Sequence, residues 1–413
     1  MRDRNSVMSL LWRLAALKGL GPWHLAAAAA ALALPLAFGA RCQGPRPARA
    51  PPDRPALRDP DLVETPSGWL LSYTRRTART SEVWVASLGR DGQVVAHRRV
   101  FEARANTGWA RLARVGDRVI VVALGEDAFQ RSVLRRAVLD GEGRPVEGVE
   151  APAPERAVFV RAIASHGEEA ALVVEHFIEG RAALWFLDRN AVRVRARPIE
   201  APHRADQYAL APHGDAWLLF SAQRADETLH GRLSVTRLRA DGAPLGAQTL
   251  RTFEGVAGSM AAHARGAATA LVWLEDSGFV ARGEPYFLRL DEGRLTAPPV
   301  RLGPRQNTSP RALWCGLTGC SITWLEAPPA PDTQRHWMLL RTDPDGHPFA
   351  SPLRLPCSSE VTLQQMPVMV GASDQQRGLA VIEANGVLLA QGLDAEGRPV
   401  GAPRRIDAPA TAE

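Results

Sequence analysis

The chain has 413 residues, 46% of them hydrophobic and 23% charged, and a formal net charge of +6. Lys18 is its one lysine, which excludes a Schiff-base lysine, a lysine general base or a Gly-Lys-Ser/Thr phosphate loop from every later position. The arginines are scattered rather than clustered, so we expect no nucleic-acid partner.

The N-terminus has the features of an export signal. Residues 25–40 form an apolar run, LAAAAAALALPLAFGA, with basic residues before and after it. This order predicts a signal peptide or signal anchor over 1–40, and both Pro35 and the short run disfavour a spanning helix. Cys42 leaves lipidation open, although Arg41 stands where lipoprotein signals have a small residue. Residues 41–59 are rich in Pro and Arg and predict an extended linker.

A short phrase then recurs about every 50 residues, which is the mark of a repeat fold. It is an apolar strand end, a turn with an acidic residue before Gly, and a second strand, as in SLGRDGQVV at 87–95 and LDAEGRPV at 393–400. Such a turn requires a positive φ, which Gly adopts freely and Asn tolerates, and an Asp before it can accept hydrogen bonds from the turn backbone. The predicted turn residues are Gly92, Gly143, Asn190, Gly242, Gly293, Gly346 and Gly397.

A strongly apolar segment precedes each turn, for example GWLLSY at 68–73 and AWLLFS at 216–221. These segments are too short for helices and continuously apolar, so they predict strands buried on both faces. Trp69, Trp217, Trp273 and Trp324 lie on them and are expected in the core. Each repeat has room for four strands, which in the second repeat are predicted at 109–115, 118–125, 132–139 and 145–150.

Seven four-stranded repeats predict an all-β, seven-bladed β-propeller with four antiparallel strands per blade over residues 60–408. An open solenoid is the alternative architecture. The predicted blades are 60–102, 103–151, 152–201, 202–251, 252–302, 303–358 and 359–408, followed by a tail at 409–413. The chain resembles β-propeller repeat proteins as a class, and its turn phrase resembles that of exported bacterial propellers. This resemblance implies a scaffold and transfers no active site.

Cys315 and Cys320 flank a short turn, GLTG, between two predicted strands. Their spacing suits a cross-strand disulfide, which an oxidising compartment would preserve. A zinc site is the weaker alternative, because no histidine lies near. Cys357 has no evident partner.

Carboxylates recur where the apolar strands end, at one face of the predicted propeller. They form a candidate ligand face of Glu126, Glu175, Glu275, Glu326 and Glu383. A solvated rim is the alternative interpretation. His166, His213 and His263 lie near equivalent turns and are interpreted as positions derived from the repeat. No metal or cofactor is expected.

These patterns predict a monomeric, exported protein of the periplasm or cell envelope, attached to the membrane only through its N-terminal segment. It would act as a binding or scaffold module for an unknown protein or envelope component, without an identifiable catalytic activity. The alternative is a hydrolase or lyase that cleaves polysaccharide with loop carboxylates converging on the axial channel.

Overall fold

The computed structural model describes residues 56–407 except 78–79, 104–107, 127–131, 151, 157–158, 177–180, 200–204, 226–229, 277–282, 304–308, 317, 327–335, 356–367, 372–376, 385 and 396. The chain divides into two compact units, Met1–Arg54 and Pro55–Glu413. The predicted signal, most of the predicted linker, Cys42 and Cys357 lie outside the described residues. Within the described part, no helix is long and apolar enough to cross a membrane.

The first four blades are consecutive sheets, each numbered from its inner strand outwards. Blade 1 contains β1 (Ala56–Thr65), β2 (Gly68–Arg76), β3 (Ser81–Leu88) and β4 (Val94–Ala103). Blade 2 contains β5 (Gly108–Val115), β6 (Arg118–Glu126), β7 (Ser132–Leu139) and β8 (Glu155–Arg156). Blade 3 contains β9 (Phe159–His166), β10 (Glu169–His176), β11 (Arg181–Asp188) and β12 (Arg193–Pro198). Blade 4 contains β13 (Ala205–His213), β14 (Ala216–Ala225), β15 (His230–Leu238) and β16 (Pro244–Glu254).

The last three blades follow the same order. Blade 5 contains β17 (Val256–Arg265), β18 (Ala268–Asp276), β19 (Gly283–Asp291) and an outer strand in two pieces, β20 (Arg294–Leu295) and β21 (Val300–Arg301). Blade 6 contains β22 (Ser309–Cys315), β23 (Cys320–Glu326), β24 (His336–Thr342) and β25 (Leu353–Arg354). Blade 7 contains β26 (Val368–Gly371), β27 (Arg377–Ala384), β28 (Val387–Asp394) and β29 (Pro399–Ile406).

The seven sheets close into a ring. Each inner strand contacts the inner strand of the next blade, and β26 of blade 7 contacts β1 of blade 1. This confirms the seven-bladed propeller and excludes the open solenoid. Blades 1 and 7 are each built from consecutive strands, so no strand is exchanged across the closure. We call their junction the seam. It is bridged by the Leu57 N–H bond to the Gly386 carbonyl at 2.8 Å and by the Arg404–Asp91 ion pair at 2.7 Å.

The core is divided among the seven junctions between neighbouring blades, each of which holds one apolar cluster. The second strands of blades 1 to 5 and 7 contribute to the clusters on both of their sides, because their apolar residues are continuous and alternate between the two faces. In blade 6, β23 contributes to the cluster with blade 5, and its buried Ser321 and Thr323 lie on the other face. Trp69, Trp217, Trp273 and Trp324 are all buried in these clusters. The prediction of middle strands buried on both faces is confirmed.

The hairpin turns between third and fourth strands also follow the prediction, with one correction. Six predicted glycines have φ between 72° and 95°: Gly92, Gly143, Gly242, Gly293, Gly346 and Gly397. In blade 3 the residue with positive φ is Ala191, at 58°, and not Asn190. The Ala191 N–H donates to the Asp188 carbonyl, as the Gly143 N–H donates to the Asp140 carbonyl, so the turn has the same length as in blade 2 and Ala191 occupies the glycine position. The Asp188 carboxylate accepts the backbone N–H groups of Asn190 and Val192, as predicted for the acidic residue.

Blade 2 differs from its predicted outer strand. Its first three strands lie close to the predicted bounds, but 145–150 forms only the isolated bridge between Pro145 and Leu139. The outer strand is the short β8, Glu155–Arg156. Three prolines in this segment have no N–H to donate to a neighbouring strand: Pro145, Pro152 and Pro154. Their presence explains why the outer strand begins later in the chain than predicted. Buried Arg136 fixes the segment by donating to the Ala153 carbonyl and the Glu155 carboxylate.

Candidate functional site

The end of the propeller where the inner strands begin is irregular in six blades. Here the pairing of each inner strand with its second strand shifts register, which leaves extra residues in the inner strand. The bulged residues are Asp59-Pro60, Trp109-Ala110, Arg161, Asp206, Gly258-Ser259 and Arg311. Bulges redirect side chains and are frequent beside functional sites. We call this end, with its bulged residues, the channel mouth.

Two aspartates of blade 1 tie the mouth to blade 2. The Asp61 carboxylate accepts the Leu112 N–H at 2.7 Å, and Asp59 accepts the N–H of Trp109. Burial raises the pKa of both carboxyls above the usual range for aspartate, and the guanidinium of Arg111 partly offsets this. The two carboxylates therefore hold the bulge of β5 in place through its backbone.

Trp109 is an outlier in its strand. Its φ is 67°, a strained value for a bulky residue, and it is 43% exposed while the following Ala110 is buried. Its ring lies 5.6 Å from that of Phe159, the first residue of β9. The Arg161 guanidinium lies 5.2 Å from the Phe159 ring and donates to the Glu175 carboxylate. Blades 1 to 3 thus present two aromatic rings with arginine and carboxylate groups at the mouth.

The predicted ligand-face glutamates do not share one environment. Glu175 and Glu383 face the following blade, since the residues two before them, Val173 and Val381, pack on blades 4 and 1. Glu275 lies one residue further along its strand and therefore faces the preceding blade 4, where it accepts from Arg251. Equivalence of Glu275 with the other two is thus wrong. The side chains of Glu126 and Glu326 lie outside the described part.

Glu383 belongs to the seam. Glu383 is 2% exposed, and its carboxyl group accepts the Asp59 N–H at 3.3 Å. Burial, reinforced by the nearby Asp59 carboxylate, raises the pKa of Glu383 to about 8. Glu383 therefore keeps its proton at neutral pH. Glu175, 1% exposed, is buried as well, so neither glutamate offers an open carboxylate to solvent. A ligand role for the five glutamates stays a prediction.

The residues of the channel mouth do not stand out in the repeat pattern of the sequence. Asp59 was placed in the predicted linker, yet β1 begins at Ala56. A signal was present: Pro60, Gly108 and Gly258 lie in or beside the bulges, and Pro or Gly inside a strand often marks one. Because each bulge contains different residue types, aligning the repeats by sequence does not show that the bulges occupy equivalent positions.

The disulfide prediction is confirmed, since Cys315 and Cys320 are bonded across the turn between β22 and β23. Among the described residues, no group of three or more His, Cys, Asp or Glu side chains is placed to hold a metal ion.

Comparison with family models finds no match. Comparison with curated proteins finds none either. Among solved structures, the chain is similar to the β-propeller domain of the trilobed protease from Pyrococcus furiosus, described as having an open velcro topology. The TM-score is 0.52 at 12% identity, over 85% of this chain and 95% of that one.

Two further structures have lower scores. Hydrazine synthase of Kuenenia stuttgartiensis gives a TM-score of 0.49 at 10% identity, covering 83% of this chain and 98% of that one. An acylaminoacyl peptidase of Pyrococcus horikoshii gives 0.46 at 11% identity, covering 84% of this chain and 52% of that chain, so this chain spans about half of it. At these identities the likeness shows the fold alone, and the fold shared with the protease domain is the β-propeller.

Proposed function

We propose that this protein is an exported binding module whose channel mouth binds a saccharide of the cell envelope. The observation that carries the proposal is Trp109, which is 43% exposed on a strained backbone, while the residues that follow it in β5 are buried or half-buried. Strain of this kind persists only where surrounding contacts maintain it, and it is concentrated at binding sites. Asp59 maintains it by accepting the Trp109 N–H.

The chemistry of the neighbouring groups supports a saccharide. Aromatic rings such as Trp109 and Phe159 offer flat apolar surfaces, and Trp109 also has an N–H donor. Sugar rings have an apolar face edged by hydroxyls, so they suit an aromatic surface flanked by charged hydrogen-bonding groups. Arg161 lies beside Phe159 and provides such a group. Binding sites commonly combine apolar walls with a few orienting polar groups.

Titration of the purified exported protein with peptidoglycan fragments and envelope polysaccharides, followed by calorimetry and tryptophan fluorescence, tests this function. We expect Trp109→Ala to weaken binding about tenfold or more, since a stacked aromatic contributes on the order of 1–3 kcal/mol. Phe349→Ala is the matched control, because Phe349 is 53% exposed but lies beside the blade 6 hairpin at the opposite end. Equal affinities for both variants would contradict the proposal.

A hydrolase acting on the same saccharides is the second candidate, and Glu383 is the observation that favours it. A carboxylic acid with a pKa of about 8 beside a second carboxylate resembles a general-acid pair. The burial of Glu383 argues for the binding module, since a substrate cannot reach an acid that is 2% exposed. Release of reducing sugar ends by the unsubstituted protein, abolished by Glu383→Gln, would establish the hydrolase instead.

A further inference from the structure

A cavity of about 480 Å³ lies between blades 5 and 6, at the end of the propeller opposite the channel mouth. It is lined by His263 and Arg265 of β17, by Ala268 and Ala270 of β18 and by Arg289 of β19. Blade 6 contributes the Cys315–Cys320 disulfide, Gly316 and Pro344. Two features of this junction set it apart from most other blade junctions.

The first feature is the small side chain of Ala270, at a position where most blades have a large apolar residue. Ala270 is the third residue of its second strand and packs towards blade 6. The third residues of the second strands in blades 1, 2, 4 and 7 also pack towards the following blade, and they are large: Leu70, Ile120, Leu218 and Leu379. Blade 3 has a second small residue at this position, Ala171. Since protein interiors are otherwise closely packed, a small residue at this position leaves open space.

The second feature is a polar residue at an apolar position. His263 is the third residue from the end of its inner strand. The corresponding residues of blades 1 to 4, which pack on the following blade, are Val63, Ala113, Ala164 and Ala211. The Nδ1 atom of His263 is buried and has no hydrogen-bond partner among the described residues. A buried imidazole nitrogen without a partner is costly unless a ligand satisfies it.

Two arginines, Arg265 and Arg289, line the cavity together with His263. Burial, together with the nearby Arg265 guanidinium, lowers the pKa of His263 to about 4, so the imidazole is neutral. Arg289 lies near the outer edge, where it bonds Asp291 at 2.9 Å and lies 3.5 Å from Asp345. Arginine is well suited to bind carboxylate and phosphate groups with two parallel hydrogen bonds.

We propose that this cavity is a binding site for the carboxylate or phosphate group of a small ligand. The oxyanion accepts hydrogen bonds from the Arg265 guanidinium and a His263 ring N–H. The apolar part of the ligand packs against Ala268, Ala270 and the disulfide. The site is independent of the channel mouth, which lies at the other end of the inner strands.

Calorimetric titration of the purified protein with inorganic phosphate and, separately, with benzoate tests the proposal and distinguishes the two kinds of oxyanion. We expect saturable binding of at least one probe and a loss of about tenfold or more in Arg265→Gln, because hydrogen bonds to charged groups are strong. The matched control is Arg239→Gln. Arg239 has an exposed side chain at the same end, in the blade 4 turn, and does not line the cavity.

A second variant keeps the test decisive if Arg265→Gln fails to fold. Ala270→Leu places in blade 5 the residue that blades 1 and 4 already have at this position, so it fills the cavity without adding a polar group. We expect it to abolish binding of both probes while retaining the unfolding temperature of the unsubstituted protein. Absence of binding by the unsubstituted protein, or unchanged affinity in Ala270→Leu, overturns the proposal.

Discussion

The two ends of the inner strands differ in how similar they are from blade to blade. At one end, the inner strands of blades 2 to 5 return through two-residue turns in which a glycine has φ between 54° and 60°: Gly116, Gly167, Gly214 and Gly266. At the channel mouth, six inner strands begin with a bulge, and the bulged residues differ from blade to blade. A tight hairpin has few backbone solutions, whereas an unpaired extra residue is free to vary. The end with the tight turns therefore has the same residue type in successive blades, whereas the channel mouth has different side chains in each blade.

The largest expected effect is on the pH dependence of stability, and it tests the protonation of Glu383, where the channel mouth meets the seam. Between the ordinary pKa of 4.5 and about 8, folded Glu383 keeps a proton that the unfolded chain has lost. The free energy of unfolding should therefore fall as pH rises through this window, by at most about 1.4 kcal/mol per pH unit for one proton. Glu383→Gln removes this proton, so its stability should fall less between pH 5 and 8 and exceed that of the unsubstituted protein at pH 8.

Urea unfolding at several pH values between 4 and 8 measures this difference. Exposed Glu150→Gln is the control and should leave the pH profile unchanged. Parallel profiles for Glu383→Gln and the unsubstituted protein would show that Glu383 is ionised in the fold.

The next effect tests the end with the tight turns. Gly346 has φ of 95°, and a Cβ atom there would lie 2.2 Å from Cδ1 of Phe287 in the neighbouring blade. Gly346→Ala should therefore cost about 3 kcal/mol, combining an unfavourable backbone with overpacking. Gly214→Ala is the control, because Gly214 has a positive φ of 54° but no atom within 4 Å, and it should cost about 1 kcal/mol. Equal costs, measured by denaturant unfolding, would mean that the contact with Phe287 does not limit this turn.

The smallest effect distinguishes the two assignments of the blade 3 turn. Ala191, with φ of 58°, stands where six other blades have glycine, but its methyl group is fully buried, so Ala191→Gly should stabilise the protein by at most about 0.5 kcal/mol. Asn190→Gly should give no gain, because Asn190 does not have a positive φ. A shift in thermal unfolding temperature reports both. A gain in Asn190→Gly alone would restore the assignment made from the sequence.

How far the sequence predicts this molecule depends on whether a feature repeats. Gly92 and Gly397 were predictable because the same turn has glycine at the same position in six of the seven blades, and Trp217 because a continuous apolar segment must be buried. Ala191 was missed because its turn has no glycine, and the neighbouring Asn190, a residue type that tolerates a positive φ, was assigned in its place. Glu275 was misassigned because a shift of one residue reverses the face of a strand, and the sequence does not display that register.

The sequence by itself determined the blade number, the buried second strands and the Cys315–Cys320 pair, because all three follow from local spacing and from the period of the backbone. Only the tertiary structure decided that the ring closes, that Asp59 and Glu383 meet at the seam, and that His263 faces a cavity. Asp59 and Glu383 are more than 300 residues apart in the chain. Their protonation and their contacts depend on what burial in the closed ring brings together, which no local pattern encodes.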